Sequence, residues 1–390
     1  MKLWETILEG VINLIFHNAG ISKLQKESGP YLQRRIGHFQ RMAEAAAATY
    51  PEKHLAFSSW NPEVEIFSGD LFGGYVAWDD IQTVVAFRGT QNGQDRSTIL
   101  QWICNLGATP AALPGGRGFV HSSYLAELDS MYDSIREILA KHHRTDRSLW
   151  IVGHSAGGAL ATLAAERMCY DNTLMTRFNR PNEAFSFSGP LVGDANFAKS
   201  YPIRVSNFAV GCDVVPLWPP PVSLRNLVPQ KGTSFIKAVE KIFVQYFELP
   251  NGPDVANLLA SDIEFCRIGQ TYYRGSRATK RAAAPLLLSE SPLEMAGRNL
   301  GMEEGKIREA AKWISKHSPS TLASHPIRAG GGPLLDVIHY QAVGKAITDQ
   351  LDGQGFSTQE GLPQFLVDHE IEDFSRALHE VSLLAPSSAP

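Results

Sequence analysis

The amino-acid sequence predicts an α/β fold, a mostly parallel sheet flanked by helices, with helical insertions in the C-terminal half. Three observations carry this expectation. Between residues 63 and 216, short apolar runs alternate with stretches of helical apolar spacing, as when strands are buried on both faces by crossover helices. One run, Leu149-Trp150-Ile151-Val152, leads through a glycine-bounded turn straight into an Ala-rich helix. Apolar residues make up 44% of the 390 positions and charged residues only 19%, which is ample for a large core.

The elements follow in order. Leu3, Trp4, Ile7, Leu8, Val11, Ile12 and Ile15 recur at helical spacing with Glu5 and Glu9 on the other side, and a second helix is expected over residues 33–49. Residues 1–50 are therefore read as N-terminal helices that pack on or cover the main domain. Glu5 and Glu9 also interrupt what would be the apolar segment of a secretory signal. The cytoplasm is the default compartment, and signal-independent export is compatible with the same sequence. Gly73 to Trp78 and Thr83 to Phe87 read as strands, and residues 122–143 as a helix carrying Leu125, Leu128, Ile135, Ile138 and Leu139. Leu149 to Val152 is a buried strand, residues 156–170 a helix, and Ala184 to Phe187 and Arg204 to Phe208 two further strands. After Pro216 the run Trp218-Pro219-Pro220-Pro221 can continue neither helix nor strand. An aromatic amphipathic helix is expected at 233–248, a strand from Glu264 to Tyr273 and a helix near 303–316. The main domain is thus placed at 51–350 with insertions at about 217–262 and 277–330, followed by a C-terminal extension, 351–390, with a frayed end.

Charge and cysteine usage exclude several function classes. With 36 basic and 40 acidic residues the formal charge is −4, too balanced for a nucleic-acid footprint or a polybasic membrane patch. No apolar run approaches the ~18 residues of a membrane span, so the chain reads as soluble. Cys104, Cys169, Cys212 and Cys266 form no C-x-x-C pair, and free buried thiols are expected rather than a zinc site or disulfide framework.

The sharpest chemical signal is Gly153-His154-Ser155-Ala156-Gly157-Gly158, a G-x-S-x-G pattern set between a buried strand and a helix. A turn that tight strains the serine backbone and needs small residues on either side. It lifts the hydroxyl clear of the sheet, where the following helix N-terminus can stabilise developing negative charge. Ser155 is therefore the expected nucleophile. The strand ending in Phe87-Arg88-Gly89-Thr90 can bring the Thr90 N–H and hydroxyl to the oxyanion that the Ala156 N–H would face. Arg88 itself is read as a structural residue that fixes the loop.

Together with Val120-His121-Ser122-Ser123-Tyr124-Leu125, Gly157 to Leu163, Phe187-Ser188-Gly189-Pro190-Leu191-Val192-Gly193-Asp194 with Phe197, and Asn207 before Asp213-Val214-Val215-Pro216, these runs resemble the class 3, fungal-type lipases of the α/β-hydrolase fold. The likeness covers residues 40–216 well, with a weaker echo at Gly269-Gln270-Thr271-Tyr272. It implies a Ser-Asp-His carboxylester hydrolase acting on acylglycerols, phospholipids or related esters, with no metal and no cofactor. The sequence departs from the family at Ala156, where leucine is usual, and at Ser122, where glycine is usual. The stretch before any matching histidine is also longer than usual.

In this fold the triad runs serine, acid, histidine along the chain. Asp213 follows a strand at the carboxyl end of the sheet, where such sites lie, and is preferred to Asp194 or Asp171. Five histidines follow it: His317, His325, His339, His369 and His379. His339, between Leu334-Leu335-Asp336 and the amphipathic stretch Ala342 to Ile347, resembles the family's position before a final helix; His325, before Pro326 and a Gly-rich loop, is the runner-up base. His154 and His121 match structural positions. The resemblance also places a mobile helix after the oxyanion strand, here Ser97 to Gly107, with Ile99, Trp102 and Ile103 on the apolar face of a candidate lid. Transient contact with a lipid interface is then expected. Two other readings stay open at this level: a soluble esterase for small or aromatic esters, and a lipase-like protein that binds without turnover.

Overall fold

A computed structural model describes residues 37–50, 55–90, 109–210, 213–219, 263 and 265–274. Helix α1 is described over residues 37–47. Three strands follow: β1 (Glu63–Ser68), β2 (Gly73–Trp78) and β3 (Gln82–Phe87). Two short strands, β4 (Pro110–Ala112) and β5 (Phe119–His121), lead into the long helix α2 (Ser122–His142). Then come β6 (Ser148–His154), α3 (Ala156–Tyr170), the single turn α4 (Asn172–Met175), β7 (Glu183–Phe187) and β8 (Gly193–Asp194). Helix α5 (Ala195–Ser200), β9 (Arg204–Val210), β10 (Phe265–Cys266) and β11 (Gln270–Arg274) complete the described α-helices and strands, with short 3-10 turns at Pro114–Gly116 and Val215–Leu217.

Seven strands form the main sheet in the order β1-β2-β3-β6-β7-β9-β11. The first two neighbours pair antiparallel, and from β3 onward every pair is parallel. Parallel neighbours need a crossover to bring the chain back to the starting edge, which is why helices separate them. Side chains alternate across the sheet, and the two faces form two cores. Val85, Phe87 and Ile151 point to the side covered by α2 and α3, where Leu128, Ile135, Leu160 and Ala164 meet them. Val84, Ala86, Val152, Phe185 and Phe187 point to the other side, onto Phe39, Met42, Ala43 and Ala46 of α1. The Ala-rich sequence of α1 lets its backbone lie close to the sheet, and the Tyr75 hydroxyl on β2 donates to the Ala45 carbonyl at 2.5 Å. Among the described residues no helix is long and apolar enough to cross a membrane.

A second, four-stranded antiparallel sheet has the order β10-β8-β5-β4. It corrects one expectation. The run read as a single strand from Glu264 to Tyr273 divides at Gly269, which lies at φ 78°. Before it, β10 joins β8 in the small sheet; after it, β11 joins β9 in the large one. A side chain at Gly269 would collide with the Val205 carbonyl as well as strain the backbone. The helix of residues 3–15, the helices at 233–248 and 303–316, most of the 217–262 insertion, and all of the 277–330 insertion and the C-terminal extension lie outside the described residues.

Candidate active site

Strand β6 ends at His154, and α3 begins at Ala156, so Ser155 alone makes the turn between them. It does so at φ 56°, ψ −129°, a left-handed conformation that is rare outside glycine and concentrated at functional sites. Its N–H donates to the Phe187 carbonyl at 2.8 Å, and its own carbonyl accepts from Gly158 at 2.8 Å. The flanking glycines are required by close approach. A methyl on Gly153 would run into the Gly157 carbonyl, and one on Gly157 into the Phe87 carbonyl. The sequence thus fixes the turn through packing against β3 as well as through the turn itself.

The exit of β3 lies against this turn. A methyl on Gly89 would come within 2.9 Å of Ser155 Cβ, and Thr90, the next residue, is buried. Ala156 opens α3, where the first N–H groups of a helix have no intrahelical carbonyl to bind. Both predicted oxyanion donors therefore sit on segments that meet at Ser155. Arg88 donates its backbone N–H to the Gly73 carbonyl at 2.9 Å, tying the β3 exit to β2, and burial lowers its guanidinium pKa.

The parallel register carries the rest to the same edge. His154 pairs with Phe187, and Phe187 with Phe208, so β6, β7 and β9 end together. Asp213 comes three residues beyond Val210 and is 4% exposed. Its Oδ1 accepts the Val215 N–H at 2.9 Å, and its Oδ2 accepts from the Ser188 hydroxyl. The axes of β6 and β9 stand roughly 10 Å apart, two strand spacings, a gap suited to an imidazole between a serine and an acid. The competing carboxylates serve elsewhere. Asp194 caps α5 by accepting from Phe197 at 2.8 Å; Asp171 caps α4 and pairs with Arg136 at 3.0 Å.

Residues 84–223 match the family described as lipase (class 3). This segment is similar to the class 3 lipases. Similar curated proteins include a lipase of Caenorhabditis elegans, 28% identical over 43% of this chain and 47% of its own length. A chloroplastic phospholipase A1 of Arabidopsis thaliana is 36% identical over 30% of this chain and 28% of its own. A secreted mono- and diacylglycerol lipase of Fusarium solani is 30% identical over 40% of this chain and 46% of its own. The chain thus spans less than half the length of these relatives. Among solved structures, the triacylglyceride lipase of Rhizomucor miehei is similar over 48% of this chain and 75% of that one, at 21% identity and a TM-score of 0.39.

The segment that matches the class 3 lipase family brings Ser155, Thr90, Ala156 and Asp213 to one edge of the sheet. His339 and His325 lie outside the described residues, as do Ile99, Trp102 and Ile103 of the candidate lid. Two neighbours were not singled out from sequence for a role. Tyr50, just beyond α1, hydrogen-bonds through its hydroxyl to His154 Nδ1 at 2.7 Å, which ties the N-terminal segment to the turn. Ser188 supplies the hydroxyl on Asp213; the sequence marked it only as part of the family-like run Phe187 to Asp194, with no role of its own. His121 is fully buried against Tyr124 and Phe265, in keeping with a structural place.

Proposed function

We propose that this chain is a serine carboxylester hydrolase acting on lipid esters, of acylglycerol lipase or phospholipase A type. Ser155 is the nucleophile, His339 the general base, and Asp213 the acid that orients the imidazole. The Ser155 oxygen adds to the acyl carbonyl as its proton passes to His339. The resulting oxyanion is held by the N–H groups of Ala156 and Thr90 together with the Thr90 hydroxyl. Collapse breaks the ester C–O bond, and the His339 proton leaves with the alcohol. Water then repeats the sequence on the acyl-enzyme, releasing the fatty acid and restoring Ser155.

The observation that carries this reading is the backbone of Ser155. A non-glycine residue at φ 56°, held between a buried strand and a helix start, is strain that a mere turn would avoid by using glycine. The lipid-ester class is supported by the class 3 family match and by the acylglycerol lipase and phospholipase A1 among its relatives. The experiment is a panel of emulsified acylglycerols, phospholipid vesicles and dissolved p-nitrophenyl esters, given to wild type and Ser155→Ala. Turnover of a lipid ester that vanishes in Ser155→Ala is the expected result. Hydrolysis confined to dissolved esters would instead make the chain a small-ester esterase, and hydrolysis of none would make it a binding protein.

A further inference from the structure

We propose that Ser188 is a positioning residue for Asp213, fixing the acid's carboxylate in the orientation that the general base requires. The inference rests on the reading of Asp213 as the acid. Ser188 is fully buried and stands at φ 51° directly after β7. Among the described residues only three non-glycine residues have positive φ, and two of them, Ser155 and Ser188, end neighbouring parallel strands of one sheet. A turn that needs a left-handed residue takes glycine without strain, and glycine is the very next residue. A serine retained there asks for a use of its side chain, and that side chain donates to Asp213 Oδ2.

The surroundings make this hydrogen bond directional. The Ser188 N–H donates to the Phe208 carbonyl at 2.8 Å, which ties the turn to β9, the strand that leads to Asp213. On the other side the turn abuts the nucleophile's helix, since a methyl on Gly158 would come within 3.0 Å of the Gly189 Cα. Ser188 therefore follows the strand between the nucleophile and the acid, with its N–H bonded to β9 and its turn packed against the nucleophile's helix. The Val215 N–H holds the other carboxylate oxygen at 2.9 Å. An ionised carboxylate offers about four lone-pair positions, so both oxygens can be held and one position still accept an imidazole N–H. Without the hydroxyl, the carboxylate loses a hydrogen bond that sets the direction of Oδ2.

Ser188→Gly is the direct test, because it removes the hydroxyl and relieves the backbone at once. The expected result is an unchanged or raised melting temperature with kcat lowered about tenfold or more, the size of a hydrogen bond to a charged group. KM should stay within about twofold, and phosphonylation of Ser155 by a fluorophosphonate should slow by a similar factor while the titratable fraction of sites is unchanged. Ser188→Ala should show the same kcat with a lower melting temperature, which separates the hydroxyl from backbone strain. In an Asp213→Asn background, Ser188→Gly should cost little more, because the two act as a unit. If Ser188→Gly turns over at the wild-type rate while Asp213→Asn is inactive, the inference is overturned and the acid stands. If Asp213→Asn keeps near-wild-type kcat, the acid assignment falls and the inference with it.

Discussion

At Ser155 the backbone conformation and its neighbours' lack of side chains are one fact seen from two sides. The turn can hold φ 56° because Gly153 and Gly157 allow β6, α3 and the β3 exit to meet without a clash. Thr90 is buried directly after Gly89, which lies against Ser155, so its hydroxyl is the testable part of the proposed oxyanion hole. Thr90→Val keeps the backbone N–H and the shape and removes only that hydroxyl. Loss of one oxyanion donor typically lowers kcat on the order of 10²–10³-fold, so a large kcat drop with little change in KM is expected from steady-state kinetics. An unchanged rate would assign the oxyanion to backbone donors alone. The placement of Ser155 and Thr90 was legible because G-x-S-x-G and the strand before Thr90 are local patterns. Ser188 was not legible as a partner of Asp213, since their bond joins residues 25 apart through strand register, which a one-dimensional pattern does not encode.

Between elements, α2 is joined to the sheet at its C-terminal end, where His143 caps the helix by donating its N–H to the Leu139 carbonyl. The ring is buried, with Nδ1 2.9 Å from the Thr83 hydroxyl on β3 and an edge contact to Phe178. Burial, aided by Arg147, lowers the imidazole from an ordinary 6.5 to about 4. The unfolded chain therefore binds a proton that the fold rejects between these values. The stability due to a neutral His143 is complete above pH 6.5 and declines as pH falls toward 4. A shift of this size corresponds to roughly 3 kcal/mol at most. Denaturant unfolding should lose stability across that window in wild type and lose less in His143→Gln; parallel pH profiles would contradict it. The helices and central strands of this layer were readable because buried strands are continuous apolar runs and α2 and α3 keep their spacing. The described part of the second helix, 37–47, falls within the predicted 33–49. The small sheet was not readable, because strands of two or three residues carry no period. Nor was β1 singled out, an edge strand with Glu63 and Ile66 facing outward.

For the whole molecule, the parallel register gathers Thr90, Ser155, Ser188 and Asp213 at the carboxyl ends of β3, β6, β7 and β9. The proposed base comes from far along the chain, His339 after Asp213. Its place was suggested by family order and chain pattern rather than by local chemistry, and mutation decides between it and the runner-up. His339→Ala should lower kcat by several orders of magnitude, with His325→Ala close to wild type; the reverse ranking would move the base to His325. Both outcomes leave the central claim, a nucleophile at Ser155, to be tested on its own. The most direct measurement is mass spectrometry of the chain after exposure to a fluorophosphonate. One phosphonyl adduct on the peptide containing Ser155, absent in Ser155→Ala and competed by a lipid-ester substrate, is the predicted result. An unlabelled wild-type chain, or an adduct that persists in Ser155→Ala, would contradict it.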